Sequence, residues 1–345
     1  MEQSKHFITD IKFDKKGEHL LSSSSDGKLN LFSFTEFESR LINSSGDPRP
    51  NQPVFASLDT GQNVSCVEWN PENQYQILSS FSTQPEVHVY DLKEGGQTPV
   101  RTFRDRYAGS FLDFKIFKGE TSQFNGTTIF TSSRDGKLRF GKMNDRELRT
   151  VTEGSASGHI NCLEVSNDAQ LVFASHSSGV ISVWDIRNAA KIVTEIKLKE
   201  QLAPNSSYFH ATSLKLHPSG SKLAFTTSDF RSGLVDILDE RMKIVSITHS
   251  KNKEPPLHFA KTCFSSDGNY FGSVSTKTGF SLIEFNEQVR TNIFVPEPFC
   301  ADFAMSQTVT CLSFHPFRDT HYVFAGTTCN SISTFAPTKE EKQKK

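Results

Sequence analysis

Nowhere does this sequence hold the roughly 18 consecutive apolar residues that a membrane-crossing helix needs, and its first residues, MEQSKHFITD, form no apolar run before a cleavage site. The expectation is a soluble intracellular chain, in the cytoplasm, the nucleus or both, with no membrane partner. Charge of one sign is lacking too: 38 basic and 39 acidic residues leave a formal net of -1. A chain that lives on nucleic acid carries a basic footprint, so no direct nucleic-acid contact is expected. No Cys-x-x-Cys pair occurs. The six cysteines (Cys66, Cys162, Cys263, Cys300, Cys311, Cys329) are scattered, several within strand-like runs such as VSCVEW and TVTCLSF, and read as buried reduced thiols rather than a disulfide framework or a zinc site. Without a secretory signal the sequons at Asn43, Asn63, Asn125 and Asn205 should stay bare.

Catalytic templates are missing as well. Gly27-Lys28 and Gly136-Lys137 lack the upstream glycine of a phosphate-cradling loop and are followed by leucine. There is no Gly-x-Ser-x-Gly elbow and no His-Glu-x-x-His, and the eleven histidines fall singly along the chain. Asp236 and Asp239 in LVDILDERM read as strand-end and turn residues. The sequence therefore predicts no enzyme, no catalytic residue, no cofactor and no metal.

What is present is a repeat. The segments ITDIKFDKKG, VSCVEWNPEN, FLDFKIFKGE, INCLEVSNDA, TSLKLHPSGS, AKTCFSSDGN and VTCLSFHPFR align on Phe13, Trp69, Phe114, Val165, Leu216, Phe264 and Phe314, giving seven units about fifty residues apart. Each continues into a strand of small and β-branched residues, a tight turn, and a third strand with period-two alternation, as in HLLSSSSDGKLNLFSF and LVFASHSSGVISVWDIR. Asp26-Gly27 and Asp135-Gly136 are hairpin signals, because glycine takes a positive φ without steric cost. A weaker fourth strand follows in PVFASL, PVRTFR, ELRTVT, IVTEIKL, KIVSITH and TNIFV. Helical periodicity is absent over any comparable window. Four strands per unit describe a blade of a β-propeller.

Gly158-His159 before the first strand of unit four, Trp184-Asp185 ending its third strand, Tyr90-Asp91 in unit two, and the His217-Pro218 and His315-Pro316 turns make the chain resemble the WD40-repeat propellers. The resemblance covers residues 6–338 and implies an all-β, seven-bladed WD40-type β-propeller. The blades fall near 6–62, 63–107, 108–157, 158–207, 208–255, 256–306 and 307–338, with a charged tail at 339–345. Only unit four has both Gly-His and Trp-Asp, and Ser178 stands where the family usually has a turn aspartate, so the family's buried Asp-His-Ser/Thr-Trp network should be incomplete in every blade. Thirty phenylalanines against two tryptophans suggest apolar packing in its place, with Phe32 matching Trp184. His159 is expected to be a structural blade histidine, and His217 and His315 to face solvent.

The family usually closes its ring by giving the last blade an outer strand from the amino-terminal segment. Here only MEQSK precedes the first strand, so the last blade is expected to be three-stranded or incompletely closed, with its open edge available to a partner's strand. The resemblance implies a non-catalytic protein-protein interaction scaffold, an adaptor subunit of a larger intracellular complex. Candidate protein-binding residues, on loops of the face that carries the second turns and the blade-to-blade connections, are Arg134, His176, Phe230 and Arg231, since arginine and aromatic residues are enriched in binding hot spots. Two other readings stand beside it. Trp184-Asp185-Ile186-Arg187 resembles the ending by which substrate receptors dock on the adaptor of cullin-4 ubiquitin ligases, with Trp184, Asp185 and Arg187 as docking residues. The other is a protein subunit of a ribonucleoprotein assembly.

Overall fold

The computed structural model describes residues 6–43, 54–105, 109–120, 125–145, 147–151, 158–187, 191–206, 208–239, 241–248, 260–276, 279–284, 301–304, 307–317 and 322–335. Seven antiparallel sheets follow one another along the chain. Blade one holds the strands Ile8–Phe13, His19–Ser24, Lys28–Ser33 and Ala56–Asp59, and blade four holds Ile160–Val165, Leu171–His176, Val180–Asp185 and Lys191–Lys197. In each sheet the strand order equals the chain order. Short strands joined by tight turns can pair only with their neighbours in sequence, so every blade is a meander. The first strand of each lies innermost, and these inner strands pack on one another around a central channel.

Burial follows the sequence pattern. The second strands are buried on both faces, as in Leu171–His176 and Gln76–Phe81, because each blade is covered by the blades before and after it. That is why these runs read as continuous small and apolar residues rather than as an alternation. The apolar side chains form clusters between adjacent blades, such as Phe173, Ile181 and Val183 of blade four with Phe209, Leu214 and Phe225 of blade five.

Three details differ from the sequence reading. In blade three the residue equivalent to Phe13 and Trp69 is Ile116, not Phe114: Ile116 faces Ile129 as Phe13 faces Leu20, whereas Phe114 aligns with Ile11. The alternation of Phe-Lys-Ile-Phe admits both frames, and only the pairing with the second strand separates them. Blade one contains a helix, Phe34–Asn43, inserted between its third and outer strands, which accounts for its longer repeat. In blade six the outer strand is Ala301–Ala304, paired with Gly279–Leu282; the expected TNIFV lies outside the described residues. The charged tail does as well.

Blade seven has three strands among the described residues, Val309–Phe314, Val323–Thr327 and Ile332–Phe335. Residues 1–5, the expected source of a fourth, are outside them. The junction between blades seven and one is made by side chains. Phe13 packs edge-on against Phe324 and His315, and Phe34 against Tyr322. Gly326 lies so close to blade one that a Cβ there would stand 2.7 Å from the Ile8 side chain. Aromatic rings of both blades thus carry the seam.

Candidate functional site

Residues of the inner strands that point into the channel form two rings, because alternate side chains of a strand share one face. The first ring is Asp10, Cys66, Asp113, Cys162, Ser213, Lys261 and Cys311. It sits at a bulge where the inner strand shifts register, in blades one to five and seven. Asp10 accepts from the Lys261 ammonium at 2.7 Å and the Val67 N–H at 3.4 Å, and Asp113 from the Leu163 N–H at 3.1 Å. The Ser213 hydroxyl accepts from the Thr262 N–H at 3.1 Å. Blades one, three and five thereby satisfy the same backbone donor in blades two, four and six. The Cys66 sulfur lies 3.2 Å from an Asp10 carboxylate oxygen and 3.1 Å from one of Asp113, so its single S–H donates to one of the two at a time. Burial pushes this thiol well up. Burial opposes the charge of Asp10, but Lys12 and Lys261 outweigh it and hold the carboxyl below its ordinary range.

The second ring, two residues further along each strand, is Lys12, Glu68, Lys115, Glu164, Lys215, Cys263 and Ser313. Lysine and glutamate alternate through five blades: Lys12 to Glu68 at 3.1 Å, Glu68 to Lys115 at 3.4 Å, and Glu164 to Lys215 at 3.5 Å. These groups neutralise one another across blade boundaries. Buried charges are stable only when paired, so the lattice ties the blades together. Its thiols are held protonated: Cys263 and Cys311 are both pushed up to about 12 by burial.

The residues predicted from sequence are separated by the structure. His176 is fully buried and is not a surface contact. Its Nε2 lies 2.6 Å from the Ser182 hydroxyl, which also accepts the Trp184 indole N–H at 2.9 Å, and its Nδ1 faces the Gly158 carbonyl. His176, at the end of the second strand, therefore completes the polar network of blade four. His159, expected in that role, is exposed. Blade two builds a counterpart from Glu86, His88 and Tyr90, and blade three from Asp105, Arg139 and Asp135. His88, Arg139 and Ser182 share one register position on the third strands. The networks persist with changed members, which corrects the expectation that apolar packing alone replaces them. Nothing in a residue-by-residue match to the family's motif could have found Arg139.

Phe230 is also buried rather than exposed, and joins an apolar cluster formed by residues of blades six and seven. It occupies the turn position that Gly27, Gly136 and Gly179 hold in other blades, with a φ of 64°. Arg231 is partly exposed, pairs with Asp229 at 3.0 Å, and lies over the Phe209 ring. Of the four first-face candidates Arg134 alone is exposed. His217 and His315, expected in solvent, are buried. Each lies 3.0 Å from the carbonyl of a glycine in the next blade's first turn, His217 to Gly268 and His315 to Gly17. These are staples between blades five and six and across the ring's seam. Arg187 has a structural partner too: Asp185 takes its Nε at 3.0 Å and its Nη2 at 2.7 Å. Asp14, Glu18 and His19 bring metal-type ligand atoms together, but Asp14 accepts the His19 N–H at 2.9 Å as part of the first turn of blade one. No helix among the described residues is long and apolar enough to cross a membrane.

A family model for the WD domain, G-beta repeat, matches residues 2–33. The β-propeller of a crystal structure of Myceliophteria thermophila Cps50 (Swd1) superposes over 96% of this chain and 97% of its own, with a TM-score of 0.70 at 14% identity. The chain folds as a seven-bladed β-propeller of the WD40 type. A second family model, the nucleolar protein 10-like N-terminal β-propeller domain, matches residues 138–298 of the propeller. The chicken GATOR2 complex protein WDR59 is 25% identical over 166 residues, which are 48% of this chain and 15% of WDR59. The 26S proteasome regulatory subunit RPN14 of Saccharomyces cerevisiae is 23% identical over 267 residues, 74% of this chain and 57% of RPN14. The WD40 propeller therefore spans about a seventh of one relative and somewhat over half of the other.

Proposed function

We propose that this WD40 propeller is a non-catalytic interaction scaffold, a subunit of a larger protein complex, and that a partner contributes a strand to blade seven. The observation that carries the reading is the third strand of that blade. Ile332–Phe335 pairs with Val323–Thr327 on one side, and among the described residues no strand covers its other side. All four of its residues are half-buried, whereas four of the six residues of the covered equivalent in blade four, Val180–Asp185, are buried. An uncovered strand flank presents backbone donors and acceptors in register for an extended segment. The printed descriptions of the relatives, a GATOR2 complex protein and a proteasome regulatory subunit, support a place in an assembly without naming this chain's own. Exposed Arg134 and the side chain of Tyr208, 70% exposed in the connection from blade four to blade five, supply further contact surface on the first face.

Hydrogen exchange tests the reading on the purified chain and on the complex recovered with it. The amides of 332–335 should exchange quickly in the free chain and become protected in the complex. Full protection in the free chain means that the blade closes on itself and leaves no edge for a partner. The ligase reading rests on Arg187, which stays half-exposed beyond the third strand of blade four; adaptor binding that survives Arg187→Ala removes it. The ribonucleoprotein reading draws on the match of 138–298 to a nucleolar protein family, and is tested by the identity of the recovered partners.

A further inference from the structure

The Lys/Glu alternation of the second ring stops short. It begins with Lys12 in blade one and ends with Lys215 in blade five, so a lysine stands at both ends, and blades six and seven contribute only the small neutral side chains of Cys263 and Ser313. A cavity of about 360 Å³ opens at this gap. Its wall runs from the two rings to the first turns of blades five, six and seven, at Pro218, Ser265 and Pro316, and so reaches the second face. The charged side chains on that wall are Lys12, Lys115, Lys215 and Lys261 against Asp10 and Asp113. Glu68 and Glu164 pair with Lys12, Lys115 and Lys215 without lining the cavity, so the wall itself carries four positive groups and two negative ones around a space large enough for several atoms.

We propose that this gap binds one anionic group, a carboxylate or a phosphate, which sits between Lys215 and Lys12 and completes the alternation around the ring. Coulomb's law favours an anion there for the same reason that Glu68 sits between Lys12 and Lys115: Lys12 and Lys215, each paired with a glutamate on one side, gain an opposite charge on the side toward the gap. Lys215 registers the deficit. Glu164 raises its pKa, but Lys115, burial and Lys12 together leave it below the ordinary lysine value. In the ring order Cys263 of blade six stands between Lys215 of blade five and Lys12 of blade one, and all three line the cavity. The anion can arrive as a free ion or as the acidic side chain of a bound protein; the recognition chemistry is the same. The inference does not depend on the scaffold reading, since a free ion needs no partner.

Thermal unfolding and calorimetric titration of the full chain test it, with inorganic phosphate and acetate compared against chloride at constant ionic strength. A saturable rise in Tm of about 2 °C or more is expected in one or both anions, because a ligand that binds only the folded state stabilises it. Lys215→Met should abolish the rise. Cys263→Asp, which places a carboxylate in the gap, should also abolish it while raising Tm in chloride alone. A blocked phosphoserine peptide binding tenfold tighter than phosphate assigns a side chain as the source; equal or weaker binding assigns the free ion. No response in wild type to any of these anions overturns the proposal, and so does a response of the same size in Cys263→Asp. Should Lys215→Met fail to fold, Cys263→Asp and the wild-type titration still decide it.

Discussion

At the scale of single residues, the buried histidines set how this protein responds to acid. His176 and His315 are both excluded from solvent, and burial holds each below the ordinary value of 6.5 despite the carbonyls of Gly158 and Gly17. For His315 the hydrogen bonds also fix the neutral form: Nδ1 accepts the Phe317 N–H at 3.3 Å, which leaves Nε2–H to donate to Gly17. An unfolded chain binds protons at these sites before the folded one does, so stability rises with pH. Their contribution is complete above the unfolded value of 6.5 and is lost as pH falls through the depressed folded values. The carboxylates Asp10 and Asp113, also held low, keep their contribution until well below that window. The unfolding free energy measured in urea should therefore drop between pH 7 and pH 5, by about 1.4 kcal/mol for each pKa unit by which a histidine is displaced. His315→Gln, which retains a donor toward Gly17, should flatten the drop; an unchanged pH profile in that variant would show that His315 does not contribute to it.

At the scale of elements, the second turns show what a sequence reveals about a hairpin and what it hides. In five blades the fourth residue of the turn has positive φ: Gly27, Gly136, Gly179, Phe230 and Asn330. Its N–H donates to the carbonyl three residues earlier in every case. Glycine announces the first three, since it alone takes this region freely. Phe230 looks like an exposed contact in the sequence because nothing in the local sequence says that its ring joins the apolar cluster of blades six and seven. The same limit applies to His176 and Arg139. The pattern of strands was legible because burial imposes a period on it, whereas the members of each polar network depend on side chains from different strands meeting. At Gly179 both demands coincide: its φ is +83°, and a Cβ would lie 2.5 Å from the Phe209 carbonyl oxygen. Gly61 has a φ of +67° and open space around it. Gly61→Ala should cost about 1 kcal/mol, the price of the backbone region alone. Gly179→Ala should cost more, about 3 kcal/mol or above, since the next blade must also move. Equal costs in chemical denaturation would mean that the connection to blade five yields freely.

At the scale of the whole molecule, a ring needs its last junction to be as firm as the others, and here that junction rests on side chains. His315 staples blade seven to Gly17 of blade one, just as His217 staples blade five to Gly268 of blade six. Lys261 of blade six reaches Asp10 of blade one, so the channel lattice passes behind the inner strand of blade seven. Gly326 provides the close approach: a Cβ there would stand 2.6 Å from the Cys311 sulfur and 2.7 Å from the Ile8 side chain. A methyl group in so tight a contact forces either the Cys311 thiol or blade one to shift, at about 1–3 kcal/mol for an overpacked core. Gly326→Ala should destabilise the protein by that amount. Ile8→Ala alone should also destabilise, by about 2 kcal/mol or more, through the cavity it leaves. Together they should cost less than the sum, because each makes room for or fills what the other changes. A coupling of about 0.5 kcal/mol or more in the double-mutant cycle is expected for groups in contact. Hydrogen exchange should show the inner strands of blades one and seven, Ile8–Phe13 and Val309–Phe314, losing protection together in Gly326→Ala. Strict additivity, with protection lost in blade seven alone, would place the strain within that blade and leave ring closure to His315 and the channel charges.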